Sequence, residues 1–435
     1  MNRVRVGLLG LGTIGVGVAR ILLENSNVLR ARLGVGLDLV RICDLDIETD
    51  RGLDLRDVDL TTDVDRIIKA DDVDIVIELI GGYEPARSFV TTALEHDKHV
   101  VTANKALIAR HGEALFTLAE QHGVVMAFEA AVGGGIPCLK ALREGLAANR
   151  IESVYGILNG TCNYILTKME HEGLPFDTVL AQAQALGYAE ADPTFDIEGV
   201  DTAHKLAILA AMAFGSHIRF DDVHTEGISR ITPDDIASAG ELGYRIKLLG
   251  IAKPHDDRIE MRVHPTLLPH ASQLAQVSDS YNAVQISGNF IEHTMYFGRG
   301  AGERPTASAV VADVMDIARA MPDGAGHLAP PMAFPQAARQ NLATLPMADI
   351  ECEYYLRLMV KDQPGVLAAV ADILGHHRIS LEAVMQKERH ATQSVPLVLL
   401  THRTREGNLQ AAVSRIMQLA SVEGEPLLLR MERGA

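Results

Sequence analysis

The sequence predicts an α/β fold with three parts: a doubly wound parallel sheet at the N-terminus, an α+β middle region and a small C-terminal βαββαβ unit. Three observations predict it. Up to Ala130 the chain alternates short apolar strands with amphipathic helices. After Met321 the composition shifts to the Pro-, Gly- and Ala-rich run PDGAGHLAPPMAFPQAARQNLATLPMAD, which reads as a linker. Beyond it, YYLRLMVKDQPGVLAAVADILGHHRISLEAVMQKE, SVPLVLLTHRTREGNLQAAVSRIMQL and PLLLRM give strand, helix, strand, strand, helix, strand in that order.

The first element is the buried strand RVRVGLLG, which runs into Gly10-Leu11-Gly12-Thr13-Ile14-Gly15 and then the helical GVGVARILLEN. Strand, GxGxxG and helix in that order form a Rossmann-type dinucleotide turn. Glycine permits the tight turn and lets the backbone approach a pyrophosphate at the helix N-terminus. Gly10, Gly12, Thr13, Ile14 and Gly15 are therefore expected to touch a nicotinamide or flavin cofactor. Asp44 ends the second strand, LDLVRICDLD, where an acid bonds the ribose hydroxyls of NAD and an arginine would receive the extra phosphate of NADP. It lies further from the glycines than the usual ~20 residues, and NSNVLRARLGVG lengthens the first crossover accordingly. A solvated loop aspartate is the alternative, with Arg41 and Arg51 as the other candidates for a phosphate.

DIVIELI (74–80), EPARSFVTTALEH, KHVVTAN, KALIARHGEALFTLAEQHG and VVMAFEA continue the alternation as strand, helix, strand, helix, strand. Ligand groups in such sheets gather at the carboxyl ends of the strands. Three loops lie there: Gly81-Gly82, Ala103-Asn104-Lys105, and Ala131 to Pro137. Lys105 begins a helix, where a cation opposes the dipole, so a reach towards nicotinamide or substrate is a better reason for it than surface solubility. Gly133-Gly134-Gly135 is either a plain hinge or a set of bare carbonyls for a hard cation.

ESVYGILNGTCNYILTKM is a strand that delivers Asn159, Gly160, Thr161 and Asn163 to a helix start, as caps or as pocket lining. GYAEADPTFDIEGVDTAHK (187–205) then brings together Glu190, Asp192, Asp196, Glu198, Asp201 and Lys205, with Asp201 and Lys205 one helical turn apart. Carboxylates grip an ammonium, and a lysine beside them moves a proton to or from a hydroxyl or carbonyl. The substrate suggested is a small amino acid with a reacting oxygen. An exposed acidic loop with an intrahelical ion pair is the alternative, but LAILAAMAFG after Lys205 is almost wholly apolar and makes this a core helix. Strand-like segments near 244–253, 258–266 and 281–298 fit a mixed sheet. In GRGAGERPTASAVVADVMDIARAM, Gly298, Gly300 and Gly302 precede a helix from about Thr306, as a second backbone loop over the cofactor or as a simple connector. In the tail, Asp362-Gln363-Pro364-Gly365-Val366-Leu367 forms the first strand-to-helix turn, with Pro364 at the helix start.

Composition bounds the function. The 435 residues, 47% of them hydrophobic, suffice for two or three domains. A net charge of −17 disfavours nucleic acid and anionic membranes as partners. No membrane-length apolar run or signal-peptide pattern is present, so a cytoplasmic location is expected. The four cysteines, Cys43, Cys138, Cys162 and Cys352, lack metal spacing and read as reduced, structural thiols.

The glycine turn, TANK (102–105), EAAVGGGIP (129–137), GILNGTCNYIL (156–166), GYAEADPTFDIEGVDTAHK and GRGAGERPTASAV (298–310) together resemble the monofunctional homoserine dehydrogenases, and the tail resembles an ACT domain, a small-ligand regulatory module. The resemblance covers essentially the whole chain. No aspartokinase domain precedes the glycine turn, so the monofunctional form is expected. The resemblance implies a nucleotide-binding domain at 1–135 completed by about 305–321, a catalytic and dimerisation domain at 136–304, a linker at 322–352 and a regulatory domain at 353–435. It implies reversible, NAD(P)H-dependent reduction of L-aspartate 4-semialdehyde to L-homoserine, on the route to threonine and methionine, in a homo-oligomer, dimer or tetramer. Lys205 is then the acid/base, and Lys105 lies against nicotinamide and substrate. Glu190, Asp201, Asp196, Asn159, Gly160 and Thr161 bind the amino acid, and Thr102 and Gly302 join the cofactor contacts. Glu129, Val132, Gly134 and Ile136 match the family's site for sodium or another monovalent cation. Asp362, Gly365, Val366 and Leu367 match the effector turn, with threonine the expected effector. NADP-preferring relatives commonly carry arginine where this chain has Cys43, so NAD is expected to be preferred.

Two rival readings differ in chemistry. A phosphorylating semialdehyde dehydrogenase needs a thiolate, for which Cys162 at a helix start is the candidate. A non-catalytic amino-acid sensor would have no need of Lys205.

Overall fold

The computed structural model describes residues 3–321, 329–386 and 394–435. They form two compact units. One comprises 1–158, 204–221 and 281–342, the other 159–203, 222–280 and 343–435.

In the first unit, strands β1 (Arg3–Leu9), β2 (Gly36–Cys43), β3 (Asp59–Thr61), β4 (Ile75–Glu78), β5 (His99–Thr102) and β6 (Met126–Ala127) form a sheet in the order 3-2-1-4-5-6. Every pairing is parallel. This is the doubly wound order, whose strand reversal between β1 and β4 opens a crevice at the carboxyl ends. The long first crossover holds two helices, Thr13–Glu24 and Ser26–Leu33, the second ended by Gly34 at φ +79°. Helix Glu303–Ala320 joins the same core through Ala307, Val310, Val311, Val314 and Ala318. A Cβ on Gly17 would lie 2.8 Å from Glu303 Cγ and 3.0 Å from Ala307 Cβ, so glycine is what lets the two helices touch. This helix starts three residues before the expected Thr306, because Gly302 at φ +114° turns the chain into it. The expected strand 281–298 is a hairpin, Tyr281–Gly288 with Glu292–Arg299, and Ile151–Ile157 pairs antiparallel on its other side.

The expected strand VVMAFEA is cut to Met126–Ala127 and gives way to a 3-10 turn over Glu129–Ala131. The cause is Glu129: its main-chain N–H donates to Asp313 Oδ2 at 2.8 Å, and its carboxylate accepts the N–H groups of Leu139 and Lys140 at 3.0 and 2.7 Å. Those bonds bend the backbone out of the ladder.

In the second unit, helices Gly160–Glu172 and Phe176–Ala185 accompany the antiparallel pair Tyr244–His255 and Arg258–Pro269. The tail is βαββαβ: Glu351–Lys361, Val366–His376, Leu381–Met385, Ser394–Thr401, Glu406–Ile416 and Val422–Met431. Its strands lie in the order Val422–Met431, Glu351–Lys361, Ser394–Thr401, Leu381–Met385 around their own core. Pro364 lies before the helix rather than at its first turn, since Gly365 at φ +91° is the N-cap.

The tail does not keep both of its sheet edges open. Strand Val422–Met431 runs parallel to Arg258–Pro269, pairing Thr266 with Arg430 and Leu267 with Met431, and Glu432 N–H continues to Leu267 O at 3.0 Å. Buried Arg262 donates to Glu260 at 2.6 Å and to Glu432. Arg357 donates to Asp235 at 2.6 Å and Tyr355 to the same oxygen at 3.2 Å. Of the expected linker 322–352, residues 322–328 lie outside the described residues. Farther along, Arg339 is buried against Glu113 Oε1 at 2.5 Å, and Ala343–Thr344 pairs with Arg258–Ile259. No helix among the described residues is long and apolar enough to cross a membrane.

Candidate active site

The glycine turn is built for close approach. Gly10 has φ +96°, and a Cβ on Gly15 would lie 2.1 Å from Gly10 O. At Gly12 a Cβ would meet nothing within 4 Å, so the space above the turn is open. Thr13 and Ile14 begin the helix, whose N-cap Gly12 offers no side-chain acceptor. A 12-residue helix with unfilled N–H groups at its start, beneath open space, fits a pyrophosphate.

Asp44 follows β2 directly. Its Oδ2 accepts Leu11 N–H at 2.5 Å and its Oδ1 accepts Asp46 N–H at 2.9 Å, which ties it to the glycine turn. Arg51 stands beside it, donating to Leu11 O at 2.8 Å, with its guanidinium 4.0 Å from Asp44 Oδ1. Arg41 is committed elsewhere, bonded to Asp72 at 2.5 and 2.7 Å and to Asp59 at 3.3 Å.

Thr102, last in β5, gives its hydroxyl to Glu78 Oε2 at 2.6 Å and receives Asn104 N–H at 3.0 Å. Asn104 caps helix Lys105–Gln121 by accepting Leu107 N–H, and its amide donates to Gly82 O at 2.7 Å. Lys105 is thereby fixed as the first helical residue at the carboxyl end of the sheet. Glu78 is the residue that the sequence reading missed. It is fully buried, and besides Thr102 it accepts the N–H groups of Ile80 and Gly81 at 2.8 and 3.0 Å, so it holds two of the three expected loops. An acid within DIVIELI, otherwise a buried apolar strand after its first residue, is the signal that could have found it. Nearby, His204 stacks on Phe220 at 3.9 Å between centroids and meets Tyr83 Oη at 3.5 Å.

Around the candidate cation loop, Gly134 has φ +53° and a Cβ there would lie 2.5 Å from Gly300 O. Val132 and Ile136 are buried, and Ile136 N–H bonds Gly133 O at 2.9 Å. Burial, then the neighbouring Asp313 carboxylate, pushes Glu129 up to about 8, against the two N–H groups that favour its charge. Among the described residues no cluster of three or more His, Cys, Asp or Glu could hold a metal, so an ion here would rely on main-chain carbonyls. Those hard oxygens beside a buried acid suit a monovalent cation.

On the substrate side, Asn159 does two jobs. Its oxygen caps helix Gly160–Glu172 by accepting Cys162 N–H at 2.8 Å, and its amide donates to Asp196 Oδ1 at 2.8 Å and Asp201 Oδ2 at 2.9 Å. One short side chain thus draws both acids to a helix start, where their charge is favoured. Gly160 is the first helical residue, and Thr161 donates to Tyr188 O at 2.7 Å and to Asp196 Oδ2 at 3.2 Å. Glu190 stands apart, exposed, with Gln184 bonded only to its main-chain oxygen at 3.0 Å. Lys205 lies one turn after Asp201 on helix Val200–Phe214; it is buried and donates to Leu158 O at 2.7 Å. Cys162, the thiol that a phosphorylating mechanism would need, is fully buried and donates to Asp196 O at 3.2 Å, so it is no open nucleophile.

At the turn where the sequence leads one to expect an effector, Asp362 is half-buried, Gly365 is an uncapped N-cap, Leu367 is exposed and Val366 lies in the core. The Val366 N–H closes the turn by donating to Gln363 O at 3.4 Å.

Family models match three consecutive stretches: the NAD-binding domain of homoserine dehydrogenase at 10–129, homoserine dehydrogenase at 137–315 and the ACT domain at 354–421. The chain belongs to the homoserine dehydrogenase family. Homoserine dehydrogenase of Pseudomonas aeruginosa is 46% identical over 434 residues, with all of both chains covered. That of Neisseria gonorrhoeae is 47% identical over 432 residues, covering 99% of each. A crystal structure of a homoserine dehydrogenase from Thiobacillus denitrificans superposes with a TM-score of 0.95 at 47% identity, covering 100% of this chain and 99% of the other. This member of the family is thus an NAD(P)-dependent oxidoreductase with a C-terminal ACT domain.

Proposed function

We propose that the enzyme interconverts L-aspartate 4-semialdehyde and L-homoserine with Lys205 as its acid/base and Asp201, Asp196 and Glu190 as its grip on the substrate ammonium. The observation that carries this reading is a buried lysine one helical turn from an acid that Asn159 pairs with a second acid. When bound, nicotinamide supplies or accepts the hydride. As negative charge grows on the substrate oxygen, the Lys205 ammonium stabilises it and passes its proton there, and in the reverse direction the neutral amine takes that proton back. Leu158 O orients the amine meanwhile. Asn159, Gly160 and Thr161 shape the pocket floor, and Lys105 faces nicotinamide and substrate. Orientation by the carboxylates adds to the rate.

The cofactor rests on Gly10, Gly12, Thr13, Ile14 and Gly15, with Thr102 and Gly302 closing around it. Asp44 favours NAD by accepting from free ribose hydroxyls, while Arg51 beside it is the residue that would serve NADP. Glu129, Val132, Gly134 and Ile136 offer oxygens to sodium or another monovalent cation. The domains run 1–135 with about 305–321, 136–304 and 353–435, joined by 322–352. The enzyme works in the cytoplasm as a homo-oligomer on the threonine and methionine route. Threonine acts as effector at Asp362, Gly365, Val366 and Leu367, where N–H groups at a helix start receive a carboxylate.

The test is Lys205→Met, which keeps the apolar stem and deletes the proton donor. Homoserine-dependent NAD(P)H formation falls at least ~10²-fold in turnover, while cofactor affinity measured by fluorescence stays within about twofold. A variant retaining more than about a tenth of wild-type turnover would remove Lys205 from the chemistry.

A further inference from the structure

Between the two acids that Asn159 gathers, Asp196 and Asp201, the chain makes a tight turn, Ile197-Glu198-Gly199, into helix Val200–Phe214. That turn is clamped from one side. Ile228 N–H donates to Ile197 O at 2.8 Å. A Cβ on Gly227 would lie 2.4 Å from both Ile197 O and Glu198 Oε2, so only glycine allows the contact. At Gly199, φ is +81° and a Cβ would sit 3.0 Å from Val263 Cγ1. Glu226, immediately before this clamp, donates its N–H to Val263 O at 2.8 Å, and its carboxylate accepts Arg430 Nη1 at 2.5 Å. Arg430 belongs to the last strand of the ACT domain, is 2% exposed, and is held from the other side by Glu406 at 2.6 and 3.1 Å. The same contact borders a cavity of about 530 Å³ lined by Glu198, Glu226, Gly227, Arg430 and Leu428.

We infer that Glu226, anchored by Arg430 of the ACT domain, is a positioning residue for the substrate carboxylates: it sets the Ile197–Gly199 turn and thereby the placing of Asp196 and Asp201. A displacement of the last ACT strand reaches the substrate acids through one ion pair and one glycine contact, with no part played by the cofactor turn. The inference rests on the reading that Asp196 and Asp201 hold the substrate.

Glu226→Gln keeps the shape and weakens the pair, leaving Arg430 bonded to Glu406. Gly227→Ala pushes the turn directly and touches no ACT residue. Steady-state kinetics of homoserine oxidation should show KM for homoserine raised about 3- to 10-fold by Glu226→Gln, the loss expected of one charged hydrogen bond acting indirectly, and at least as much by Gly227→Ala. KM for NAD and for NADP should stay within about twofold, and Glu226→Asp should recover part of the affinity. A homoserine KM unchanged in Glu226→Gln overturns the inference. So does an equal rise in substrate and cofactor KM, or a loss of folded protein in Glu226→Gln that Glu226→Asp does not relieve, since each marks a merely structural pair. Asp201→Asn serves as the control. If it leaves homoserine KM unchanged, the underlying substrate reading fails. If it raises KM while Glu226→Gln does not, this inference fails alone.

Discussion

Two pairs of carboxylates, one pair in each compact unit, are held in opposite ways. In the cofactor unit, Glu129 and Asp313 are buried, and their carboxylates accept main-chain N–H groups. Burial pushes Asp313 up to about 7 and, with Asp313 beside it, Glu129 up to about 8. In the other unit, burial would likewise raise Glu226 and Glu260, but arginine and histidine overcome it. His224 and Arg430 hold Glu226 at about 2, and Arg262 and His255 hold Glu260 at about 2. Acids matched by cations complete their own charge balance. Acids held mainly by N–H dipoles leave a site that a cation would complete, which is why the Glu129 loop and not the ACT seam is the place to look for an ion.

The largest expected effect breaks the seam. Deleting the chain after Thr344 removes the strand paired with Arg258–Pro269 and strips Arg262 of Glu432. A buried pair that loses one partner costs about 3–5 kcal/mol, so the truncated chain should misfold or melt far earlier by calorimetry. Full stability and activity after truncation would show that the tail is a detachable module. Effector response is therefore better tested by Asp362→Ala, which leaves the seam intact, in a threonine titration.

Next comes acid. Glu226 and Glu260 titrate lower in the fold than when unfolded, so their contribution is complete above about 4.5 and is lost as pH falls from there towards about 2. Hydrogen exchange, corrected for intrinsic rates, should show Arg258–Pro269 losing protection over that window, and Glu260→Gln should flatten the loss. Glu129 and Asp313 carry the opposite sign: their raised values favour the fold at low pH, and that share declines as pH rises from about 4 to about 8. Equal acid sensitivity of Met126–Lys140 and Arg258–Pro269 would dissolve the distinction.

Cofactor choice gives a smaller shift. Asp44→Ser removes a charge that repels a 2′-phosphate, and the NADP-to-NAD ratio of kcat/KM should rise about tenfold, as for one charged hydrogen bond. Arg51→Ala should lower it. A ratio unmoved in both variants would put the selecting residue elsewhere, and Arg41 is already spent on Asp59 and Asp72.

The smallest effect is the ion itself. Sodium at ten times its dissociation constant should stabilise by about 1.4 kcal/mol, read as a rise in Tm against a choline control. The rise should be larger at pH 8.5 than at pH 6, because Glu129 is ionised only towards the higher value. A Tm that responds equally to choline removes the cation from the Glu129 loop.

Most of the glycine turn was legible in the chain. Gly10, Gly15 and the helix start follow from a local rule about turns, and the doubly wound class follows from the alternation of strand and helix. The substrate side was legible in part. The Asp201–Lys205 spacing is a property of any helix, whereas the drawing together of Asp196 and Asp201 depends on Asn159, 37 and 42 residues away. Glu190 looked equivalent to them in sequence and stands exposed. VVMAFEA has strand composition, yet bonds from Glu129 to Asp313 and Leu139 override it.

By itself, then, the sequence determined what is periodic or local: the glycine turn, the βαββαβ tail, the core helix with its lysine and the family to which these patterns belong. Only the tertiary structure decided that the tail's last strand extends the Arg258–Pro269 ladder, that Glu78 holds two site loops, and that Arg430 reaches Glu226 across 204 residues of chain. The physical reason is range. Backbone propensity and hydrophobic period act over one or two turns of chain, while a buried charge finds its partner wherever packing brings an opposite charge or a free N–H to it.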